Sequence, residues 1–408
     1  MGIRRHRDFL RIWAGQAVSN VGDGIHRIAV LWWARQTTGS NLVLVGVALA
    51  SVVPTIAAAP LAGWLVDRIS RRMLMMSADM VRLGTSAALA VLASTGSLHT
   101  PAVVVCAVVA AAASAVFSPA YQASITMLVP SDDRATANSL VGANEALAGI
   151  LGPAIGGLLI GLWGTASALW TDAGTFAVSL LLVLASTVPM PSRRPRAADE
   201  PDEGLFAGIA LLRRDRTLRD LALAAVGLNT FVSPVPVLLV ALAAGPFALG
   251  GTGYGLLEAC VPAGLLVGFA IGPRASRRRG AALVALVVSS AAVGLAGATT
   301  LALVGGVTLL AAGVGIGVTN TILPTRFQAD VDPGMQGRVF AVLSALMLAG
   351  RPVGLLLTAP LLAAVGPRGG LAVCGVCMLA VTWVGRGGVL GPRPAGDVDA
   401  TETALSQV

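Results

Sequence analysis

Long apolar stretches alternate with short polar ones along nearly the whole chain. A membrane-crossing helix needs about 20 mostly apolar residues. Stretches of that kind fall at 9–35, 42–66, 74–94, 101–119, 139–163, 166–188, 218–244, 251–272, 281–298, 301–324, 339–365 and 369–390. The pattern predicts an all-α membrane protein with twelve transmembrane helices. The tightest expected connection is the turn at 298–301.

The polar segments carry a directional signal. Arg clusters occupy 4–11, 68–72, 134, 193–219, 274–279, 326–338 and 386–393, whereas the alternate loops hold little beyond Arg35 and Arg368. Basic residues concentrate on the cytoplasmic side of membrane proteins. The clusters therefore place both termini in the cytoplasm, and one missed span would invert everything downstream of it. The N-terminal Arg4-Arg5-His6-Arg7 leads into a helix with a polar stripe, so no cleavable signal peptide is expected.

The longest polar stretch divides six spans from six. The expected organisation is a six-helix bundle over 1–188, a cytoplasmic linker over 189–217 with a short surface helix near 204–214, a second six-helix bundle over 218–391, and a disordered tail over 392–408. The bundles read as distant copies. Each has a basic turn after its second span (Arg68–Arg72; Arg277–Arg279) and an acidic, Pro-containing loop ending in Arg before its fifth (Pro130 to Arg134; Asp332 to Arg338). Each fifth span has a mid-helix Pro after Gly (Gly152-Pro153; Gly350-Arg351-Pro352). Parallel six-span repeats around a central site are a transporter plan.

Composition agrees with the membrane reading. The chain is 55% hydrophobic and 12% charged, with a mean hydropathy of +0.81; a soluble domain is about one quarter charged. All 28 basic residues are Arg, and the net charge is +8. Their confinement to loops fits orientation in a bilayer, and no nucleic-acid partner is expected. Cys106, Cys260, Cys374 and Cys377 fall in apolar runs and are expected to be buried and inert; no His or Cys cluster completes a metal site.

Charged groups inside spans carry the candidate chemistry, since each costs about 2.5–3.5 kcal/mol at the bilayer centre on insertion scales. Gln16, Asn20, Asp23 and Arg27 follow i, i+4, i+7, i+11 and share one helical face. That face must line the interior, along a substrate path. Asp23 and Arg27 are one turn apart and can neutralise each other; alternatively, Asp23 binds a cation or a proton. His26 lies one position off the stripe. Glu145 and Glu258 lack an acid's partner in local sequence and are candidate proton carriers, with hydrogen bonding to a neighbouring helix as the alternative. Asp172 reads as a packing or folding residue, and Asp79 with Arg82 as an ion pair near the cytoplasmic end of the third span. Arg351 either satisfies a carbonyl freed by Pro352 or contacts an anionic substrate or an acid of the other half. Asn229, on a helix bent by Pro234 and Pro236, is a further cavity candidate. Gly149, Gly152, Pro153, Gly156 and Gly157 are expected to pack closely on the eleventh span, where the halves rock.

The stretch Gly63-Trp-Leu-Val-Asp67-Arg68-Ile-Ser-Arg71-Arg72 resembles the loop between the second and third helices of major facilitator superfamily transporters. Further matches are Trp13 to Asp23, Phe117-Ser-Pro-Ala120, Gly152 to Gly157, Gly337-Arg-Val-Phe340 and Gly350-Arg-Pro352. In order and spacing the chain is similar to that superfamily over nearly its full length, and within it to bacterial macrolide-efflux and enterobactin-export proteins. The resemblance implies two pseudo-symmetric six-helix bundles. It also implies a conformational latch at Gly63, Asp67, Arg68, Arg71 and Arg72, and a bundle-interface hinge at Gly152, Pro153, Gly156, Gly157 and Pro352. The sequence departs from the fifth-span antiporter pattern at Ser139 and Ala148, and its fourth span lacks the Arg common in drug/proton antiporters.

These features define an expected secondary transporter. It would export amphipathic small organic molecules, such as an antibiotic or siderophore, by alternating access and in exchange for protons, as a monomer in a bacterial cytoplasmic membrane. The polar pathway would comprise Gln16, Asn20, Asp23, Arg27, Glu145, Asn229, Glu258 and Arg351. No cofactor is expected, because there is no phosphate-binding Gly-x4-Gly-Lys-Ser/Thr loop. The alternatives are an importer or facilitator of the same fold and a non-transporting membrane sensor. An enzyme is disfavoured, since no Ser/His pair or metal cluster is arranged for catalysis.

Overall fold

A computed structural model of the chain describes residues 5–188, 216–278, 280–331 and 333–390. Most of the expected linker, the surface helix near 204–214 and the tail lie outside the described residues. The helices are α1 (Arg7–Thr38), α2 (Asn41–Arg68), α3 (Arg71–Ser94), α4 (Thr100–Leu128), α5 (Arg134–Leu184), α6 (Arg216–Val232), α7 (Val235–Ala244), α8 (Gly251–Ala275), α9 (Ala281–Ala298), α10 (Ala302–Asp330), α11 (Pro333–Val384) and a short α12 (Arg386–Leu390). Among the described residues there is no strand.

Two of these helices are far too long for one crossing. At 1.5 Å per residue, the 51 residues of α5 would span about 76 Å if straight, against about 30 Å of hydrocarbon. The chain instead turns back at Gly164, whose φ of 81° and ψ of 175° break the helix. Ser167 Oγ then donates to the carbonyl of Leu159 at 3.2 Å, a contact no straight helix permits. The same device recurs in α11 at Gly366, with φ 65° and ψ −177°. Before it, Gly354 abuts Thr230 of α6; after it, Gly370 meets Leu238 of α7 and Gly385 meets Ala224 of α6, so the two segments run in opposite directions. Both sites need φ > 0, which glycine adopts without steric cost.

Among the described residues nine helices are long and apolar enough to cross a membrane. Two of them are the folded-back pairs just described, and α1 misses that set because of its polar stripe. Added together, these are the twelve expected crossings. The expected single seventh span is interrupted at Ser233–Pro234, between α6 and α7. The turn between α9 and α10 is as short as the pattern required. Outward-facing Leu42, Leu61, Leu303, Trp163 and Trp383 are exposed, as lipid contact demands.

The cores are distributed unevenly along the long axis. One apolar cluster draws on both halves: Ile28–Ala34 of α1, Val237–Ala243 of α7, and residues of α2, α8 and α11. Trp32 stacks on Tyr254 across this junction, with ring centroids 5.9 Å apart. Toward the Arg-rich end the halves part. Phe9, Ile12, Leu74, Tyr121 and Val183 form a core of the first half alone. Leu218, Leu221, Ala282, Val339 and Val389 form one of the second half alone. The molecule is sealed at one end and split at the other.

All four cysteines are free; only Cys374 is buried, and Cys106, Cys260 and Cys377 are half-buried. The expectation of four buried thiols therefore holds for one.

Candidate functional site

Three cavities share wall residues and form one passage. The central cavity, of about 270 Å³, is lined by Asp23, His26, Arg27, Arg82, Ser86 and Asp172 on one side and by Ser233, Pro236 and Arg351 on the other. A second, of about 360 Å³, runs along the first half past Gln16, Asn20, Tyr121 and Glu145 and shares Asp23, Arg27 and Arg82 with the first. A third, of about 500 Å³, runs along the second half past Asn229, Thr319, Phe340 and Leu343 and shares Arg351. Both side cavities extend toward the Arg-rich end, where the cores separate.

The α1 stripe faces this passage. Gln16 Nε2 donates to Asn20 Oδ1 at 2.6 Å, and the side chains of Asp23 and Arg27 are each 49% exposed. Of the two readings of Asp23 and Arg27, mutual neutralisation is not what the structure has, because each has a different partner. Asp23 Oδ2 lies 3.9 Å from Arg82 Nη1. Arg27 Nη2 reaches across to Glu258 Oε1 of α8 at 3.7 Å. Glu258 is buried, so a lone carboxylate there would be costly, and the long Arg side chain can meet it. Glu258 thus has a partner, one that local sequence could not reveal.

Arg82 is also not near a helix end; it sits midway along α3. It is buried against Asp79, to which its Nη2 donates. The guanidinium lies over the rings of Phe117 at 4.4 Å and Phe176 at 4.6 Å, and Ser179 donates to the other Asp79 oxygen at 2.8 Å. The expected Asp79–Arg82 pair exists, but it forms the inner wall of the passage and carries Asp23 on its outer side.

Sequence reasoning missed one cluster. His26 Nδ1 is 2.9 Å from Asp172 Oδ2, and Ser86 Oγ donates to the same oxygen. Asp172 is fully buried. It anchors the His26 imidazole on the cavity wall, which fits the packing or folding role expected of it. The adjacency of His26 to Arg27 was the available signal, but the acid lies 146 residues away.

The remaining candidates divide. Glu145 is exposed in the first-half cavity near the buried Tyr121 hydroxyl, which has no partner among the described residues. Asn229 lines the second-half cavity while its Nδ2 donates to the carbonyl of Ala225 at 3.0 Å. The carbonyl of Arg351 accepts from Ser233 Oγ at 3.0 Å, and its side chain lines the central cavity.

In the latch segment Asp67 is exposed and makes no hydrogen bond or ion pair among the described residues. Arg68 lies over the Trp64 ring at 4.1 Å. Arg71 and Arg72 meet backbone carbonyls. Arg71 donates to Ala123 at 3.1 Å near the end of α4, and Arg72 to Leu184 at 2.6 Å at the end of α5. Cations are favoured at helix C-termini. A side chain on Gly63 would meet nothing within 4 Å.

The α5 glycines require the second correction. They pack on α1 and α8, and not on the eleventh span. A Cβ on Gly152 would lie 2.8 Å from Gly24 Cα, and one on Gly156 2.9 Å from Ile25 Cα. A Cβ on Gly157 would lie 2.8 Å from Gly255 Cα, and one on Gly149 3.2 Å from Pro262. One glycine face therefore grips α1 within its own half, and the other grips α8 across the junction. The eleventh-span glycines Gly350 and Gly354, which flank Pro352, abut Thr230 of α6.

A helical passage between paired halves, sealed at one end, defines a membrane transporter. The family model for the Major Facilitator Superfamily matches residues 12–355, and the chain belongs to that superfamily of transporters, which are not enzymes. Among its relatives, multidrug efflux pump Tap of Mycolicibacterium fortuitum is 31% identical over 375 residues, covering 85% of this chain and 87% of that protein. Macrolide efflux protein A of Streptococcus pyogenes is 24% identical over 358 residues, covering 86% and 88%. The crystal structure of nucleoside transporter NupG superposes with a TM-score of 0.74 at 11% identity, covering 94% of this chain and all of that one. A bacterial homolog of the human lysosomal transporter Spinster superposes at 0.69 with 15% identity, covering 94% and 95%. At these identities the two structures share the fold alone. The fold class expected from the sequence is the one found.

Proposed function

We propose that the protein exports amphipathic small organic molecules across a bacterial cytoplasmic membrane in exchange for protons. It works as a monomer with both termini in the cytoplasm, and its bundles over 1–188 and 218–391 rock to give alternating access. One observation carries the reading: a polar-striped passage between the halves, closed by a shared apolar core at one end and split at the end that bears the Arg clusters. With those clusters inside, this is the inward-open state, in which substrate enters from the cytoplasm. The exposed Asp67 fits the same state, since a latch holding the cytoplasmic side closed would be released here. The mostly apolar walls with a few polar points suit amphipathic ligands, and the similarity to efflux pumps supports export as the direction.

Protons would move through one or two of Asp23, Glu145 and Glu258. Of these, Glu145 is exposed to the passage without an Arg partner among the described residues, while Asp23 and Glu258 each sit beside one. The test is transport in oriented vesicles with erythromycin and ethidium as probes. Inverted vesicles with an acid interior should accumulate a probe, and collapse of the gradient should release it. Accumulation only in right-side-out vesicles would make the protein an importer.

A further inference from the structure

Four of the acids around the central cavity are held differently from one another. Asp79 and Asp23 flank Arg82. Glu258 faces Arg27. These three carboxylates have a guanidinium, a permanent cation, as counter-charge. Asp172 does not. Among the described residues its fully buried carboxyl bonds only to His26 Nδ1, at 2.9 Å, and the Ser86 hydroxyl, both at Oδ2. Its Oδ1 has no hydrogen-bond partner among the described residues. The group that can counter the charge of this acid is an imidazole, cationic only when it carries a second proton.

The imidazole is also the one part of the pair that meets the passage. The His26 side chain is 22% exposed, against 0% for Asp172, and it lines the central cavity. A proton on His26 can therefore exchange with cavity water, and losing it leaves a buried carboxylate without a counter-ion. Burial of an unpaired charge is strongly disfavoured, so the pair and its proton form one unit, and the proton's presence alters what holds α1 to α3 and α5.

From this geometry we infer that the His26–Asp172 pair, braced by Ser86, is a coupling-proton site of the transporter. The inference rests on the export reading above and adds a site outside the three acids proposed there. Loading is a single step: a proton from cavity water bonds to the free imidazole nitrogen, and the resulting imidazolium pairs with the Asp172 carboxylate. Unloading reverses it. The surrounding charges are Asp23 and Arg27 on α1, Asp79 and Arg82 on α3, Glu258 on α8 and Arg351 on α11; the cavity linings from α2, α4 and α7 carry no titratable side chain. With Asp172, these are four carboxylates facing three guanidiniums. One proton on His26 makes the set neutral.

The chain has three histidines, His6, His26 and His99, which makes the site directly observable. Full-length protein labelled with ¹⁵N-histidine, in lipid nanodiscs without substrate, would be titrated from about pH 5 to 9, across the range in which histidine changes charge. His26→Gln assigns the resonance. The expected result is a transition of the His26 ring between charged and neutral forms, with a midpoint displaced by Asp172→Asn while those of His6 and His99 hold. A His26 ring that keeps one charge state throughout, or a midpoint indifferent to Asp172→Asn, overturns the inference. In vesicles, His26→Gln and Asp172→Asn should lose the proton movement that erythromycin or ethidium elicits from the parent. Retention of that movement by both variants also overturns the inference. A parent protein that moves no protons with any probe overturns the exchange reading instead, and the spectra alone then decide whether the pair holds an exchangeable proton.

Discussion

Along the wall built from residues before 189, the passage meets Asp23, His26, Arg27, Arg82, Glu145 and Asp172. Along the wall built from residues after 215, Arg351 alone among the described lining residues is charged, and Leu228, Leu323, Phe340, Leu343 and Met347 dominate. Yet the two backbones follow one plan, down to the positive-φ glycine that reverses the chain at 164 and at 366. A shared scaffold therefore does not imply shared chemistry. One half concentrates charge around a buried ion pair, and the other offers an apolar surface on which an amphipathic molecule can lie.

Removing the keystone of the charged half should have the largest effect. Arg82→Ala leaves Asp79 buried without its cation, and breaking such a pair costs about 3–5 kcal/mol. The midpoint of thermal unfolding in detergent should fall sharply, and an unchanged midpoint would mean that Asp79 does not depend on Arg82. Next is the helix packing within the charged half. Gly152→Val drives a side chain into the α1 backbone at Gly24, and overpacking of this kind costs about 1–3 kcal/mol. Gly63→Ala, whose Cβ meets nothing within 4 Å, serves as the neutral control in the same melts.

The single ion pair that joins the two halves among the described residues comes third. Arg27→Gln and Glu258→Gln should be non-additive, with a coupling of about 0.5–3 kcal/mol in a double-mutant cycle of unfolding free energies. Additive effects would mean that the 3.7 Å approach contributes nothing. Smallest is a change on the apolar wall. Phe340→Ala removes one half-exposed ring and should weaken binding of a bulky probe by about 1 kcal/mol, several-fold in Kd, read by fluorescence titration with ethidium. An equal loss for a small hydrophilic probe would show that the wall does not select for apolar bulk.

Much of this architecture was legible from periodicity. Twelve apolar stretches, their Arg-marked ends and the α1 stripe follow from local spacing, because a helix converts sequence distance into direction. The partners on that stripe were not legible. Asp23 and Arg27 sit one turn apart and look like a pair, yet each is drawn to a group on another helix, since burial penalises Asp79 and Glu258 more than the half-exposed stripe. His26–Asp172 joins the first and sixth spans, and no spacing rule reaches that far. The α5 glycines announced close packing but not against what: α1 and α8 compete for opposite faces of one helix, and sequence does not encode which neighbour arrives. Nor could it tell that Arg71 and Arg72 would meet carbonyls near helix ends.

The reversals at Gly164 and Gly366 sit at the sealed end, with connections no longer than residues 39–40, 95–99, 245–250 and 299–301 completing that face. So little chain stands free there that a protease has no segment to thread into its cleft and an antibody has few side chains to grasp. On the proposed topology, protease added to intact cells should accordingly leave the folded protein whole.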